Sequence, residues 1–241
     1  KTREFSMWDL PMVLAEKKFI PRIFAALVRA ATIPRSLIAY ERGAVGPGKD
    51  CGYENPFLKA ITGCSISMEG KTAACAHISP LGNISAAYCD LWSNESVQNI
   101  KLLGGMAPTA SMEQLIYDCR LMNEANRRNE KLILRNMLVA SDEKHDPQAL
   151  IFAPENIIKI SKAVVNESDY YLKTKAAVVQ SFQIINNAYR HKQVKIEESE
   201  VPWIMILEET LENLPDDESH FIESVLPTID ESKYIPTEYG L

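Results

Sequence analysis

Ala44-Val-Gly-Pro-Gly-Lys-Asp-Cys-Gly-Tyr-Glu-Asn55 places three glycines, a proline, a lysine, a cysteine and two carboxylates within twelve residues. It follows directly on the short apolar run at residues 37–40, Leu-Ile-Ala-Tyr. Glycine lets backbone approach a ligand closely, proline stiffens a turn, and cysteine with acids can hold a metal or move protons. The stretch therefore reads as a functional loop at a strand end, and Cys51 is its most reactive side chain.

Working outward, residues 55–61 can make one or two helical turns before Gly63. Residues 65–68 alternate small and apolar side chains and run into Glu69-Gly-Lys-Thr72, which predicts a second strand and a second polar loop. Two strand-loop-helix units in succession predict an α/β fold, either a barrel or an open sheet, with sites on loops at the carboxyl ends of strands. Cys51 and Glu69 would then share one rim. Upstream, Val13, Leu14, Ile20, Ile23, Phe24, Leu27 and Val28 recur at helical spacing and predict one helix over residues 12–32, with Pro34 as a stop. Residues 1–11 show neither period and are too apolar for a free tail. Downstream, helices are predicted over 78–92 with a break near Gly82, over 111–140 as one or two segments, and over 154–165, 170–188 and 202–214.

The 241 residues are 46% apolar and 24% charged, an ordinary composition for a chain able to bury a core. A net charge of -6 without a basic stripe argues against nucleic-acid binding, since phosphate affinity needs clustered Lys and Arg. The longest apolar stretch, residues 20–33, is interrupted by Pro21, Arg22 and Arg29, so no membrane span is expected. Five cysteines without the spacing of a secreted disulfide scaffold point to a reducing cytoplasm. The chain starts at Lys1 with no charged-then-apolar leader, so no signal peptide is expected.

Gly43-Ala-Val-Gly-Pro-Gly48-Lys49-Asp50 approaches the phosphate-cradling pattern G-x-x-x-x-G-K-[ST] but carries a carboxylate where the magnesium-holding hydroxyl belongs. A plain turn is the simpler reading of that run. Cys51 becomes a thiolate if a cation or metal stabilises it, and is otherwise a small buried apolar residue. Cys64, Cys75, Cys89 and Cys119 have small or apolar neighbours and read as structural. His77, two residues from Cys75, makes at most a weak Cys-x-His pair, and a capping or core role is the commoner one. His145, His191 and His220 lie in polar helical surroundings and are expected to face solvent.

Pro34-Arg-Ser-Leu, Ala39-Tyr-Glu, the run Gly43 to Asn55, Lys59-Ala-Ile-Thr-Gly63, Met68-Glu-Gly-Lys-Thr72, Cys75-Ala-His77, Gly82-Asn83 and Trp92-Ser-Asn-Glu-Ser-Val97 together resemble the methanol-specific subunit of methanol:corrinoid methyltransferases. The likeness continues through Tyr117-Asp-Cys119, Leu121-Met-Asn123, Asp146-Pro-Gln-Ala149, Leu214-Pro-Asp-Asp217 and Tyr239-Gly240. It implies a zinc enzyme on a (β/α)8 TIM barrel, which passes the methyl group of methanol to the Co(I) of a corrinoid carried by a partner protein. On that resemblance, residues 1–105 are the last strand-loop-helix units of the barrel, and 106–241 form a helical region packed on it. The family holds zinc with one glutamate and two cysteines, and its Gly-Lys-Asp-Cys-Gly motif makes Cys51 one of those ligands here. Thiolate-rich ligation suits zinc, and a Lewis acid on the alcohol oxygen stabilises a poor leaving group under attack by Co(I). Glu54, Glu69 and Lys71 are weaker candidates for catalytic roles around that site, from loop position alone.

The resemblance also implies that the half of the barrel bearing the ligand glutamate is missing, and residues 1–11 hold no cysteine to serve as the first thiolate. Met7-Trp8 must be encoded ATGTGG, which one base out of frame reads cysteine and then glycine, so either a frameshift near this point or a faulty gene start is expected. The chain alone is expected to bind zinc poorly and to be inactive. Two other readings are carried: a P-loop-like nucleotide-binding protein, and a helical interaction module whose part beyond Ala110 docks a corrinoid protein or a second copy in a homodimer.

Overall fold

The computed structural model describes residues 10–44, 54–66, 81–88, 109–230, 232 and 235–239. Every regular element among them is helical: α1 (Leu10–Glu16), α2 (Arg22–Ala31), α3 (Ile33–Glu41), α4 (Asn55–Thr62), α5 (Gly82–Ala86), α6 (Thr109–Arg127), α7 (Lys131–Asp142), α8 (Pro147–Ile151), α9 (Pro154–Val165), α10 (Tyr170–Arg190), α11 (Val201–Glu212) and α12 (Glu218–Val225), with short 3-10 turns between some of them.

This overturns the expected α/β fold with the C-terminal part of a TIM barrel, because the described residues contain no strand. The expected strand at 37–40 is the end of α3. Thr32 and Pro34 start that helix, and Ile33, Pro34, Ser36 and Leu37 are buried while Arg35 and Tyr40 are exposed, which is a helical rather than an alternating period. Four apolar residues carry too little pattern to separate the two conformations. Of the second expected strand, Ser65 and Ile66 are irregular, and 67–68 lie outside the described residues.

The single helix expected over 12–32 is two. Pro21 cannot donate to a helical ladder and forces the residue before it out of the helical region, and Lys18 adopts φ 59° in the resulting turn. The segment expected over 111–140 divides at residues 128–130, where Asn129 has φ 61°. Helix α9 begins and ends where the sequence places it, and α10 starts at Tyr170 because the Asp169 carboxylate accepts from the Leu172 N–H at 2.8 Å.

Helix α2 sits centrally, packing on α1, α8, α10 and α11. Its buried face, Ile23, Ala25, Ala26, Leu27 and Ala30, is rich in alanine, which lets neighbouring helices approach. The hairpin α9–α10 makes the most extensive interface, with Ile157, Ile160 and Val164 facing inward together with Ala177, Phe182 and Ile185. Burying each large aliphatic or aromatic side chain contributes about 1.5–3 kcal/mol, so this shared core dominates stability. Residues 22–41 are by length and composition apolar enough to cross a membrane, but more than half of that stretch is buried within the protein, as in a core helix.

Two charged links tie distant segments together. Asp146, fully buried at the start of α8, accepts from the Gln148 N–H at 2.7 Å and from Arg22 Nη1 at 2.8 Å. Asp142, at the end of α7, accepts from the backbone N–H groups of Asn83 at 2.8 Å and Ile84 at 3.0 Å, which are free donors in the first turn of α5. Helices α6 and α7 form a hairpin, and α7 in turn packs on α5.

Candidate functional site

The glycine-rich run leaves a helix rather than a strand. At the end of α3 the Ala44 N–H donates to the Ala39 carbonyl and the Gly43 N–H to the Tyr40 carbonyl, both at 2.9 Å. Gly43 has φ 82°, so these bonds form the paired arrangement that closes a helix on a left-handed glycine. Chain enters the described region again at Glu54, which precedes α4, and Pro56 occupies that helix's first turn. Gly63, with φ 71°, ends α4 as the sequence predicts. The candidate loop thus runs from the carboxyl end of one buried helix to the amino end of another, and α3 and α4 pack together.

Cys51 itself lies outside the described residues, as do Glu69, Lys71, Cys75, His77 and Cys89. Of the candidate residues, the structure places Glu54, and it places it inside. Its side chain is 6% exposed, and it makes no cap to the amides of α4. Instead the carboxylate turns back to Thr32, whose hydroxyl lies 2.6 Å from Glu54 Oε1 and 2.6 Å from the Arg29 carbonyl, so one proton serves two acceptors. Thr32 is the junction between α2 and α3. Nothing in its sequence context singles it out, because its partner is 22 residues away.

Beneath this pair lies an aromatic layer. Phe57 and Phe152 meet edge to face with centroids 5.6 Å apart, and the buried Arg29 guanidinium stands over the Phe152 ring at 6.0 Å. The Tyr88 hydroxyl donates to the Phe152 carbonyl at 2.5 Å, and burial holds that phenol well above its usual pKa. The layer joins α2, α4, the residues just after α5 and the turn after α8.

Among the described residues no three His, Cys, Asp or Glu side chains are grouped so that they could hold a metal ion. The described residues therefore do not build a zinc centre. Cys64 and Cys119 form no disulfide, and are half-buried and exposed respectively. His145, His191 and His220 are exposed, as expected. Two shallow depressions, one between α9 and α10 near Lys175 and Asp216, the other around Arg22, His145 and Glu200, are lined by none of the residues of α3 or α4.

The model of the family described as MtaB, methanol-cobalamin methyltransferase B subunit, matches residues 6–240. The methanol--corrinoid protein co-methyltransferase of Methanosarcina barkeri (strain Fusaro / DSM 804) is 41% identical over 210 residues, 87% of this chain and 45% of that protein. A chain in the crystal structure of the methanol:cobalamin methyltransferase complex MtaBC from Methanosarcina barkeri superposes with a TM-score of 0.76 at 40% identity, covering 92% of this chain and 49% of that one. The chain spans about half the length of the relatives it matches. On the extent of these matches, the chain belongs to the methanol-cobalamin methyltransferase B subunit family.

Proposed function

We propose that this chain takes part in moving the methyl group of methanol to the Co(I) of a corrinoid held by a partner protein. The observation that carries the reading is the match to the family over residues 6–240, together with 41% identity to a relative named for that reaction. In the transfer the methanol C–O bond breaks as a Co–C bond forms. Cobalt supplies the electron pair, and the oxygen leaves as hydroxide and takes up a proton. Hydroxide is a poor leaving group, so its oxygen needs an electrophilic partner in the transition state.

Cys51 is the residue proposed to ligate zinc, and bound zinc would supply that Lewis acidity. Glu69 and Lys71 are proposed for the site's surroundings. One thiolate cannot replace a full ligand set, so the isolated chain should hold little zinc. A reducing cytoplasm is the proposed setting, in keeping with Cys64 and Cys119 forming no disulfide.

The test is to mix the 241-residue chain with the part of the Methanosarcina barkeri relative that it does not span, then add zinc, methanol and a Co(I) corrinoid protein. Methyl-cobalt absorption should appear in the mixture, be absent for the chain alone, and disappear with Cys51→Ser. Stoichiometric zinc and methyl transfer by the chain alone would refute the incompleteness, and full activity of Cys51→Ser would refute the ligand role.

A second reading is that the part beyond residue 110 is a docking surface for the corrinoid protein or a second copy. It is favoured by the exposure of Ile116, Tyr117 and Leu121 on α6 and of Leu132, Ile133 and Met137 on α7. Capture of the corrinoid protein that persists in Cys51→Ser and is lost on Tyr117→Glu with Met137→Glu would support it.

A further inference from the structure

We propose that the turn after α11 together with α12 is a strap along one side of the groove between α9 and α10, held shut by a clamp on α10 and able to open as a unit while the core stays folded. The clamp is Lys175 with Tyr171, which lie one helical turn apart and so share one face of α10. Lys175 Nζ donates to the carbonyls of Leu214 at 2.9 Å and Pro215 at 3.0 Å, and to Asp216 Oδ1 at 3.0 Å. The Tyr171 hydroxyl donates to the same Pro215 carbonyl at 2.6 Å, and its ring meets that of Phe221 in α12 with centroids 5.2 Å apart. Leu214 and Pro215 stand just past the end of α11, where the chain has left the helical ladder and a cation is favoured. Asp217, the next residue after the clamp, caps α12, so holding this turn holds the start of that helix.

Beyond the clamp, little apolar burial holds the strap. Helix α11 sends Ile204 and Leu207 into the shared core, whereas no residue of α12 is buried and its Phe221, Ile222 and Val225 are only half-covered. An eight-residue helix does not persist on its own hydrogen bonds, since isolated helices shorter than about 12–15 residues are marginal in water. The order of α12 therefore depends on its tether. Helices α9 and α10 beneath it share a buried apolar interface and open only with the core, while a strap held by a few polar bonds and one ring contact opens at a far lower free energy. Asp216 also lines the groove, together with Ala163, Leu172 and Val179 from the two helices. Release of the strap removes that wall and exposes the groove further.

The test is peptide-resolved hydrogen–deuterium exchange on the full 241-residue chain, for wild type, Lys175→Met, Tyr171→Phe and Asp216→Asn. In wild type, α12 should exchange faster than α10 but slower than an unfolded peptide of its sequence. Losing the hydrogen bonds of a charged donor should raise exchange in α12 roughly tenfold or more in Lys175→Met, with α9 unchanged. Tyr171→Phe, which keeps the ring against Phe221, should give a smaller rise. Asp216→Asn should stay near wild type, because that carboxylate is fully exposed and the two carbonyls remain as acceptors. Alkylation of a cysteine placed in the groove by Val179→Cys should quicken when Lys175→Met is added. Wild-type exchange in α12 as slow as in α10 would overturn the strap, and so would exchange as fast as in the unfolded peptide. An unchanged α12 in Lys175→Met, or a rise shared equally by α9, would overturn the clamp. An effect of Asp216→Asn as large as that of Lys175→Met would replace the clamp by a surface ion pair, and an unmoved rate at position 179 would overturn the strap's part in closing the groove.

Discussion

His220 and Asp217 show how two exposed side chains can set the behaviour of one helix end. Asp217 precedes α12, and its carboxylate accepts from the His220 N–H at 3.0 Å while also meeting the His220 ring nitrogen Nδ1. Chiefly through its bond to Asp217, His220 is raised above its ordinary 6.5, and Asp217 is lowered below 3.8 chiefly by the backbone amide of His220. A raised base stabilises the folded state fully below its unfolded pKa, and that contribution is lost as pH rises through the folded value. A lowered acid does so above 3.8, and loses it as pH falls. The end of α12 should therefore be firmest between the acid range and the raised titration of His220. Proton NMR should find His220 titrating above 6.5, and Asp217→Asn, which still caps the helix, should bring it back. A His220 titration unmoved by that substitution would show the ring contact to be inconsequential.

At the scale of elements, helix ends decide where the chain turns. Gly43 and Gly63 take left-handed conformations that let α3 and α4 stop, and a Cβ at either would meet open space, so the requirement there is on the backbone alone. The start of α5 is served differently, by the Asp142 carboxylate reaching from α7 to two backbone donors. A negative charge at a helix amino end is doubly favoured, by the hydrogen bonds and by the helix dipole. Asp142→Ala should therefore cost about 1–3 kcal/mol in urea denaturation. It should also speed amide exchange at Asn83 and Ile84 before the rest of the core. Uniform exchange along the chain would mean that the carboxylate is not holding α5.

On the scale of the whole molecule, the pairing of Arg22 with Asp146 spans 124 residues and joins the amino-terminal helices to α8. Asp146 is buried, and desolvation pushes its carboxyl above the usual range even though Arg22 pulls the other way. Arg22 is only partly covered and also reaches Glu16 Oε2 at 2.9 Å, so removing it strands the buried carboxylate more than it wastes a cation. Arg22→Ala should lower unfolding free energy by about 3–5 kcal/mol, and Arg22→Ala with Asp146→Asn should recover part of that loss. A loss under about 1 kcal/mol would show the pair to be as weak as a surface ion pair.

Punctuation residues and helical period sufficed, in the sequence alone, to mark α4, α9, α10 and α11, to place His145, His191 and His220 outside, and to make the run through Cys51 recognisable as a family's loop. Those signals are local: a proline, a capping aspartate or a glycine acts within one turn of itself. The conformation of residues 37–40 was decided only in the tertiary structure, because four apolar residues satisfy a strand and a helix alike until the neighbours that bury Ile33 and Leu37 are present. The same holds for Glu54. Its composition suggested chemistry at a loop, and only the folding of α2 and α3 against α4 brings Thr32 to its carboxylate across 22 residues. Likewise Arg22 meets Asp146, and Asp142 meets α5, through contacts between segments that no short-range pattern encodes.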